Sequence, residues 1–393
     1  MPTRARARRF RAGLSATALT AAALGALLPS AQAAGGSETG EQHLQRQLDR
    51  LVAQEDGPPG AIAVLTRGDR TRVYTSGVGD LATGRPPHLD DHMRIASIAK
   101  AFSGAVALRL VAQGLLSLDD TIGSRLPAQP AAWHAVTLRQ LLQHTSGLPD
   151  FSGSPEFQRI VRADPRHVFD SRSLLGFVAN EPLLFVPGTL YEYSNSDNIA
   201  VALMAEAVTG RPYEELLREL VYRPLALHRT SLPSGHTLPR PFLHGYDVTP
   251  PEPPEDISEA ISASGAWASG GIVSTPRDLG AFIRGYGGPA LLSPEVREEQ
   301  FAFRPGDSSE PAGPGTNAAG LAIFQYTTRC GVLYGHTGNT PGYTQLAATT
   351  PDGSRSLTFT INTQTSKSIK PALLARLRTV QEDFACALLK DRH

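Results

Sequence analysis

The chain has 393 residues, with 37 basic and 37 acidic side chains, and 41% of its residues are hydrophobic. This composition is typical of a globular protein with a sizeable core, organised as one large domain or two smaller ones. The balanced charge and the lack of a basic patch argue against a nucleic-acid-binding protein, so we expect no nucleic-acid partner.

Residues 1–33 have the pattern of a secretory signal peptide. Five arginines lie in the first eleven residues, an apolar stretch covers Leu14–Leu28, and Ala31-Gln32-Ala33 has the small-x-small pattern of a cleavage site. We therefore expect a secreted, extracytoplasmic protein cleaved after Ala33, and Arg8-Arg9-Phe10 leaves twin-arginine export open. Cleavage leaves 32 basic against 37 acidic residues, a net charge of about −5. No later apolar run reaches the length of a membrane-spanning helix, so we expect no stable membrane anchor.

We expect residues 34–41 to form a flexible leader and residues 42–390 to form one domain. Two strand-like runs, Ala61–Thr66 and Arg72–Gly77, flank a polar turn and predict a hairpin. Residues 118–279 have mainly helical patterns between proline and glycine loops. Strand patterns return at 331–334, 342–349 and 356–362, and an amphipathic helix pattern covers 369–389. These patterns predict an α/β (α+β) fold with an antiparallel sheet, flanking terminal helices and an inserted all-helical lobe at about 118–279.

Ser97 and Lys100 open a long apolar helix pattern that ends near Gly114. Residues three apart share a helical face, so the Lys100 amine can reach the Ser97 hydroxyl. Ser97 would lie in the first turn, where backbone N–H groups have no helical partner and favour negative charge. A serine nucleophile needs both a base and a site for the oxyanion. The alternative is a serine helix cap beside a solvated lysine, because Ser-x-x-Lys is common by chance.

Tyr193 and Asn195 lie on a loop that leads into another helix pattern. Beside a lysine, Tyr193 is expected to be partly phenolate and to act as general base and acid. Asn195 is expected to orient Lys100 and to donate to a substrate amide oxygen. The alternative is an ordinary capped helix start.

A third polar stretch, His336-Thr337-Gly338-Asn339, lies at the end of a strand pattern. It predicts a substrate-binding site on a strand edge, with Gly338 allowing the substrate backbone to approach and the Asn339 N–H completing the oxyanion site. The alternative is a strand-end histidine without a catalytic part. His144, in the loop 143–149, is interpreted as a buried structural histidine.

Together these three stretches resemble the motifs of the penicillin-recognising serine hydrolases, in their order and wide spacing. The resemblance covers about 42–389 and is to the branch of class C β-lactamases, secreted D-alanyl-D-alanine carboxypeptidases and related esterases and D-aminopeptidases. It implies a β-lactamase/transpeptidase-like fold and an acyl-enzyme on Ser97. Lys100 and Tyr193 would move the serine proton, and the N–H groups of Ser97 and Asn339 would hold the oxyanion. We expect a monomer with no cofactor and no metal.

The implied function is first a D-alanyl-D-alanine carboxypeptidase (a penicillin-binding protein) acting on peptidoglycan stem peptides, with β-lactams as inhibitors or substrates. An esterase or D-amino-acid amidase or peptidase comes second, and a β-lactamase third. A sensor that only binds β-lactams or cell-wall peptides is the non-enzyme alternative.

The carboxylate-binding residues of such a carboxypeptidase are altered in this chain. The resemblance places an arginine where this chain has Phe324, and often a threonine where it has Asn339. Arg329 lies nearby in sequence and compensates only if its side chain points into the cleft. Thr337 and His336 remain as weaker carboxylate ligands.

Cys330 and Cys386 are the two cysteines of the chain. An even number of cysteines in an exported protein favours a disulfide, and the resemblance implies the same pairing. Two buried free thiols are the alternative.

Overall fold

The computed structural model describes residues 40–390. The predicted signal peptide, residues 1–33, lies outside the described residues, as does most of the predicted leader. In chain order the strands are β1 (Gly60–Arg67), β2 (Arg70–Gly77), β3 (Met93–Arg94), β4 (Tyr246–Asp247), β5 (Glu255–Asp256), β6 (Val273–Ser274), β7 (Arg304–Pro305), β8 (Thr316–Ala319), β9 (Phe324–Thr328), β10 (Gly331–Thr340), β11 (Tyr343–Thr349) and β12 (Arg355–Ile361).

The α-helices are α1 (Gly40–Val52), α2 (Ala99–Ala112), α3 (Ile122–Arg125), α4 (Leu138–Leu142), α5 (Pro155–Ala163), α6 (Asn195–Thr209), α7 (Tyr213–Leu217), α8 (Trp267–Gly270), α9 (Pro276–Gly287), α10 (Pro294–Gln300) and α11 (Pro371–Leu389). Short 3₁₀ turns connect several of them.

Both ends of the chain contribute to one antiparallel sheet, as the sequence predicts. Its strand order is β2-β1-β12-β11-β10-β9-β8-β7. β1 pairs with β2 through a tight turn in which Gly68 has a φ of +52°, a value that glycine adopts without strain. β1 also pairs with β12, which joins the two ends of the chain.

Helices cover both faces of this sheet. Neighbouring residues of β11 show the division: Leu346 and Ala348 pack with α1 and α11, whereas Ala347 packs with the helices of the other layer. Side chains alternate across a strand, so a strand covered on both faces is apolar throughout. α9 contacts β11 and β12, and α2 lies deeper, against α6 and α8.

The inserted segment 118–279 is mainly helical, with two differences from the expectation. The two-residue strands β4 and β5 pair with each other, and β6 pairs with β3. The N-terminal part of α9, which begins at Pro276, belongs to the layer on the sheet and not to a separate lobe. The outer strands β7, β8 and β9 were not predicted either. Each of these three strands has only two to five residues, which is too short to show a clear alternating pattern.

A disulfide joins Cys330, in the turn between β9 and β10, to Cys386 in α11. The structure thus contains the predicted bond. It ties the strand that carries His336 to the last helix. None of the helices in residues 40–390 is both long and apolar enough to span a lipid bilayer.

Candidate active site

Ser97 lies in a 3₁₀ turn, Ala96–Ile98, that leads directly into α2. Ala96 has a φ of +48°, an unfavourable value for a residue with a side chain, so the backbone turns sharply just before the serine. Lys100 is in the first turn of α2, and its Nζ lies 3.2 Å from Ser97 Oγ. The predicted contact between the serine and the lysine is therefore present.

Lys100 is completely buried, an unusual position for a lysine. Its Nζ also donates to Asn195 Oδ1 at 2.7 Å and to the carbonyl oxygen of Ser269 at 2.9 Å. Burial lowers the pKa of Lys100 to about 7, although the carboxylates of Asp150 and Asp197 oppose the shift. A large fraction of this lysine is therefore neutral near neutral pH and is able to accept a proton.

The ring of Tyr193 lies beside Lys100, with its centroid 4.9 Å from Nζ. The prediction that Tyr193 is partly phenolate is wrong in this structure, because burial raises the pKa of Tyr193 well above its ordinary value. The nearby acidic residues Asp150 and Glu310 raise this pKa further. The Ser97 hydroxyl opposes the shift, but the Tyr193 hydroxyl forms no hydrogen bond of normal geometry with the described residues. Tyr193 is thus a neutral phenol, able to donate a proton.

Asn195 is the first residue of α6, and its side chain is fully engaged. Its Nδ2 donates to Asp150 Oδ2 at 2.9 Å and to Ser152 Oγ at 3.1 Å, while its Oδ1 accepts from Lys100. The expected orientation of Lys100 by Asn195 is present. The expected donation to a substrate amide stays a prediction, and it requires Asn195 to give up one of its two present acceptors, Asp150 or Ser152.

Asp150 is a site residue that the sequence analysis did not single out. One of its oxygens accepts from both the backbone and the side-chain nitrogen of Asn195, at 3.0 and 2.9 Å. Its other oxygen accepts from the Ser152 N–H at 2.8 Å and caps a short 3₁₀ turn. A signal was available, since Asp150 directly follows the loop 143–149 and has the cap position typical of an aspartate.

His336 and Thr337 lie inside β10 and not at its end, and neither lines the cleft beside Ser97. The Thr337 hydroxyl donates to the carbonyl of Pro311 at 2.7 Å and lies 2.5 Å from the Ser309 hydroxyl. His336 is fully buried, and burial lowers its pKa to about 3, so the ring is neutral. The interpretation of these two side chains as weak carboxylate ligands is wrong in this structure.

Gly338 allows a close approach, but of a different partner from the one expected. A Cβ at this position would lie 2.3 Å from the carbonyl oxygen of Ile95, in the segment that leads to Ser97. The glycine thus lets β10 pack against the serine turn. Asn339 then lines the cleft, with its Oδ1 accepting from the Thr344 hydroxyl at 2.9 Å. β9 pairs with β10 only over Gly331–Gly335, so the following residues lie at an edge, as expected.

His144 is buried and structural, in agreement with its interpretation. Its Nδ1 lies 2.8 Å from Asp197 Oδ2, and the Ser146 hydroxyl donates to the other oxygen of Asp197 at 2.5 Å. Burial lowers the pKa of His144 to about 3 and raises that of Asp197. The His144 ring packs 4.6 Å from the ring of Tyr193 and so supports the loop that carries the tyrosine.

The cleft beside Ser97 has a volume of about 690 Å³ and is lined by both apolar and acidic residues. An apolar wall contains Phe151, Phe157 and Phe169, which pack edge to face and stacked against one another. The charged residues that line the cleft are all acidic: Asp150, Glu192 and Glu310. Among the described residues that line it, none is an arginine, a lysine or a histidine.

The sites expected to bind a carboxylate do not supply a cation. Phe324 is 2% exposed, and its ring packs edge-on against His336 at 5.0 Å. Arg329 forms ion pairs with Glu382, at 3.0 Å, and with Asp383, both on α11. Its side chain therefore points away from the cleft.

A half-buried serine at a cleft, 3.2 Å from the amine of a buried lysine, is the arrangement that a serine hydrolase needs. The chain matches the Beta-lactamase family over residues 41–381 and belongs to that family. Homologues include penicillin-binding proteins, an esterase and a D-aminopeptidase. The protein is thus a serine hydrolase of the family that holds β-lactamases and penicillin-binding proteins.

Three of the similar proteins illustrate this range. Penicillin-binding protein 4* of Bacillus subtilis is 23% identical, over 85% of this chain and 74% of that protein. Esterase EstB of Burkholderia gladioli is 29% identical, over 70% of this chain and 81% of that protein. The structure of the D-amino acid amidase of Ochrobactrum anthropi SV3 is similar with a TM-score of 0.76 at 26% identity, and covers 88% of this chain and 99% of the amidase. The last confirms the predicted β-lactamase/transpeptidase-like fold.

Proposed function

We propose that this protein is an extracytoplasmic hydrolase that forms an acyl-enzyme on Ser97 and cleaves amides, esters or small peptides of D-amino acids. The observation that carries the proposal is the 3.2 Å contact between Ser97 Oγ and the Nζ of a buried Lys100. Lowering the pKa of a base toward the working pH is a common way to activate a nucleophile. A protein that only binds its ligand has no need of that arrangement.

In the acylation step, neutral Lys100 takes the proton of Ser97 as Oγ forms a bond to the substrate carbonyl carbon. The N–H groups of Ser97 and Asn339 hold the oxyanion of the tetrahedral intermediate. The Tyr193 phenol gives its proton to the leaving nitrogen or oxygen and regains one from Lys100. The acyl–oxygen ester on Ser97 then remains.

Deacylation reverses the same proton movements with water in place of the leaving group. As the water oxygen attacks the ester carbon, Tyr193 takes a proton from the water and passes its own to Lys100. The bond to Ser97 Oγ breaks when Lys100 returns that proton to the serine. The products are the acid and the free enzyme. Asp150 and Asn195 act as positioning residues, because they reach the reaction only through Lys100.

The residues of the cleft favour an amidase or esterase. They are less suited to the function that the sequence suggests first, a D-alanyl-D-alanine carboxypeptidase. A carboxypeptidase has to bind a free carboxylate, for which arginine is best suited. Phe324 is buried, Thr337 is engaged with Ser309 and Pro311, and the charged lining residues are acidic. The carboxypeptidase is retained as a second candidate because a putative D-alanyl-D-alanine carboxypeptidase of Escherichia coli is 26% identical over 61% of this chain.

The predicted signal peptide and the disulfide together support an extracytoplasmic location. We further propose that the enzyme is a monomer without a stable membrane anchor. Its partners are then a small ester or amide, or a peptide of the peptidoglycan type, and β-lactams as inhibitors or substrates. No metal or cofactor takes part in the proposed steps.

Comparing four substrates tests the proposed function: a peptide ending in D-Ala-D-Ala, its C-terminal amide, a short acyl ester and a chromogenic cephalosporin. We expect the amide or the ester to be cleaved at least as well as the free acid. A clear preference for the free acid would restore the carboxypeptidase, and rapid turnover of the cephalosporin would indicate a β-lactamase.

The nucleophile is tested separately with a labelled penicillin. Mass spectrometry should find the label on the peptide that contains Ser97, and Ser97→Ala should lose roughly 10³-fold or more in kcat. A folded Ser97→Ala protein with undiminished turnover would refute the assignment. Binding of all four compounds without any turnover would instead indicate the sensor.

A further inference from the structure

The cleft contains two carboxylates that no interaction within the protein explains. Glu192 and Glu310 both line it and both are exposed, and neither has a side-chain hydrogen bond or an ion pair within residues 40–390. Asp150, the third acidic lining residue, is in contrast committed to Asn195 and Ser152. Two negative charges thus face the cleft without a counterion.

Glu310 is held in place by its two neighbours in sequence. Ser309 Oγ lies 2.5 Å from the Thr337 hydroxyl, which also donates to the carbonyl of Pro311 at 2.7 Å. The backbone on both sides of Glu310 is therefore fastened to β10, while its own side chain stays free. Its charge is close enough to Tyr193 to contribute to the raised pKa of that phenol.

Glu192 is anchored in a similar way and lies in a segment that contacts the Glu310 segment. Its backbone N–H donates to the carbonyl of His144 at 2.9 Å. The neighbouring Tyr191 hydroxyl donates to the carbonyl of Ser308 at 2.7 Å. The two carboxylates are thus carried by fixed segments that meet beside Tyr193.

We propose that Glu192 and Glu310 select substrates that carry a free ammonium group. This inference rests on the proposed function: it names the class of substrate that the same hydrolytic cleft accepts. A cleft lined by one sign of charge concentrates ligands of the opposite sign and repels those of its own. A free terminal carboxylate is therefore disfavoured here, and an α-ammonium is favoured.

The apolar residues of the cleft add a second requirement for the substrate, a large apolar side chain. Phe151, Phe157 and Phe169, together with Val161 and Ile261, line the same cleft as the acidic residues. A substrate that combines a large apolar side chain with an ammonium group matches both surfaces. Amides and short peptides with an unblocked, apolar D-amino acid have this chemistry.

The test compares D-phenylalanine 4-nitroanilide with its N-acetyl derivative, which has lost the positive charge. Assays run near pH 7, below the ordinary α-amino pKa of about 7.7–8.0, keep much of the amine charged. We expect a higher kcat/KM for the free amine. The ratio of the two kcat/KM values should fall by roughly three- to tenfold in Glu310→Gln and in Glu192→Gln, and should fall with added salt. Glu181→Gln, an exposed glutamate that does not line the cleft, should keep the ratio of the unaltered enzyme.

A binding measurement accompanies the kinetics, so that slow turnover of an anilide does not limit the test. D-phenylalanine amide should protect Ser97 from acylation by labelled penicillin at lower concentration than N-acetyl-D-phenylalanine amide does. Equal protection, with a substrate ratio that neither glutamine variant alters, would overturn the ammonium site while Ser97 labelling still supports the proposed function. Loss of Ser97 labelling in the unaltered enzyme would overturn the proposed function itself.

Discussion

The side-chain oxygen of Asn195 lies 2.7 Å from Lys100 Nζ, closer to it than the Ser97 hydroxyl. A neutral amine has two N–H bonds and one lone pair. Asn195 Oδ1 and the carbonyl of Ser269 accept the two N–H bonds. The lone pair is then left for the proton of Ser97, so these two acceptors fix the direction in which Lys100 acts as a base.

The first prediction concerns the pH dependence of acylation. Lys100 accepts a proton only when neutral, so kcat/KM for an uncharged ester should rise with pH through about 7, the pKa to which burial lowers this lysine. The Asp150 carboxylate raises that pKa, so Asp150→Asn should move the rising limb to lower pH. We also expect a loss of roughly tenfold in kcat, because Asn195 loses a charged acceptor.

The control for this experiment is Asp164→Asn, an exposed aspartate that does not line the cleft. Its pH profile should coincide with that of the unaltered enzyme. A midpoint that stays in place in Asp150→Asn, or moves to higher pH, would contradict the role given to Lys100.

The local part of the site was predictable from sequence, because it depends on spacing within one helix. The contact between Ser97 and Lys100 follows from residues three apart on a helical face. The burial of His144 agrees with its interpretation as a structural residue. The central strands of the sheet were predictable for the same reason, since the short strand-like runs within residues 61–77 and 342–362 and the turns that bound them are local signals.

The long-range part was not predictable, because it depends on which segment packs over which. Thr337 was interpreted as facing the substrate, but the loop 309–311 covers it. The sequence predicts a partly phenolate Tyr193 beside Lys100, but burial dominates over the neighbouring charge and raises the pKa of the phenol. Nothing in the spacing of these residues shows their depth in the fold.

The second prediction tests the packing of β10 against the serine turn. A methyl group at position 338 would lie 2.3 Å from the Ile95 carbonyl oxygen, so Gly338→Ala should push apart the two segments that carry Ser97 and Asn339. We expect kcat to fall by about tenfold to 10²-fold, measured with the acyl ester, because small shifts of a reacting group are costly. Gly176→Ala, where a methyl group meets nothing within 4 Å, is the matched control. Equal activity of both variants would show that the close approach is not needed.

The third prediction concerns Phe324, the position at which the resemblance implies an arginine. Phe324→Arg would place a charge in a site that is 2% exposed and lies against the neutral ring of His336. We expect the free energy of unfolding to fall by about 3–5 kcal/mol, because a charge at this buried position loses its contact with water. We also expect no gain in hydrolysis of a D-Ala-D-Ala acid.

Chemical unfolding and the substrate assay together check this prediction. The matched control is Gln325→Arg, since the next residue of β9 is half-buried and points to the other face of the sheet. A Phe324→Arg protein of unchanged stability that cleaves the free acid better would show that the position is open to the substrate after all.

The last prediction concerns the bond between Cys330 and Cys386. The two residues are 56 positions apart, and closing a loop of that length stabilises the folded state by about 4 kcal/mol in the chain-entropy model. Replacing both cysteines with alanine should therefore lower the urea midpoint of unfolding, and adding a reductant to the unaltered protein should lower it similarly. Hydrolysis of the ester should persist below the new midpoint, since neither cysteine lines the cleft. Titration of the unreduced, denatured protein should find no free thiol, and finding two would show that the bond does not form.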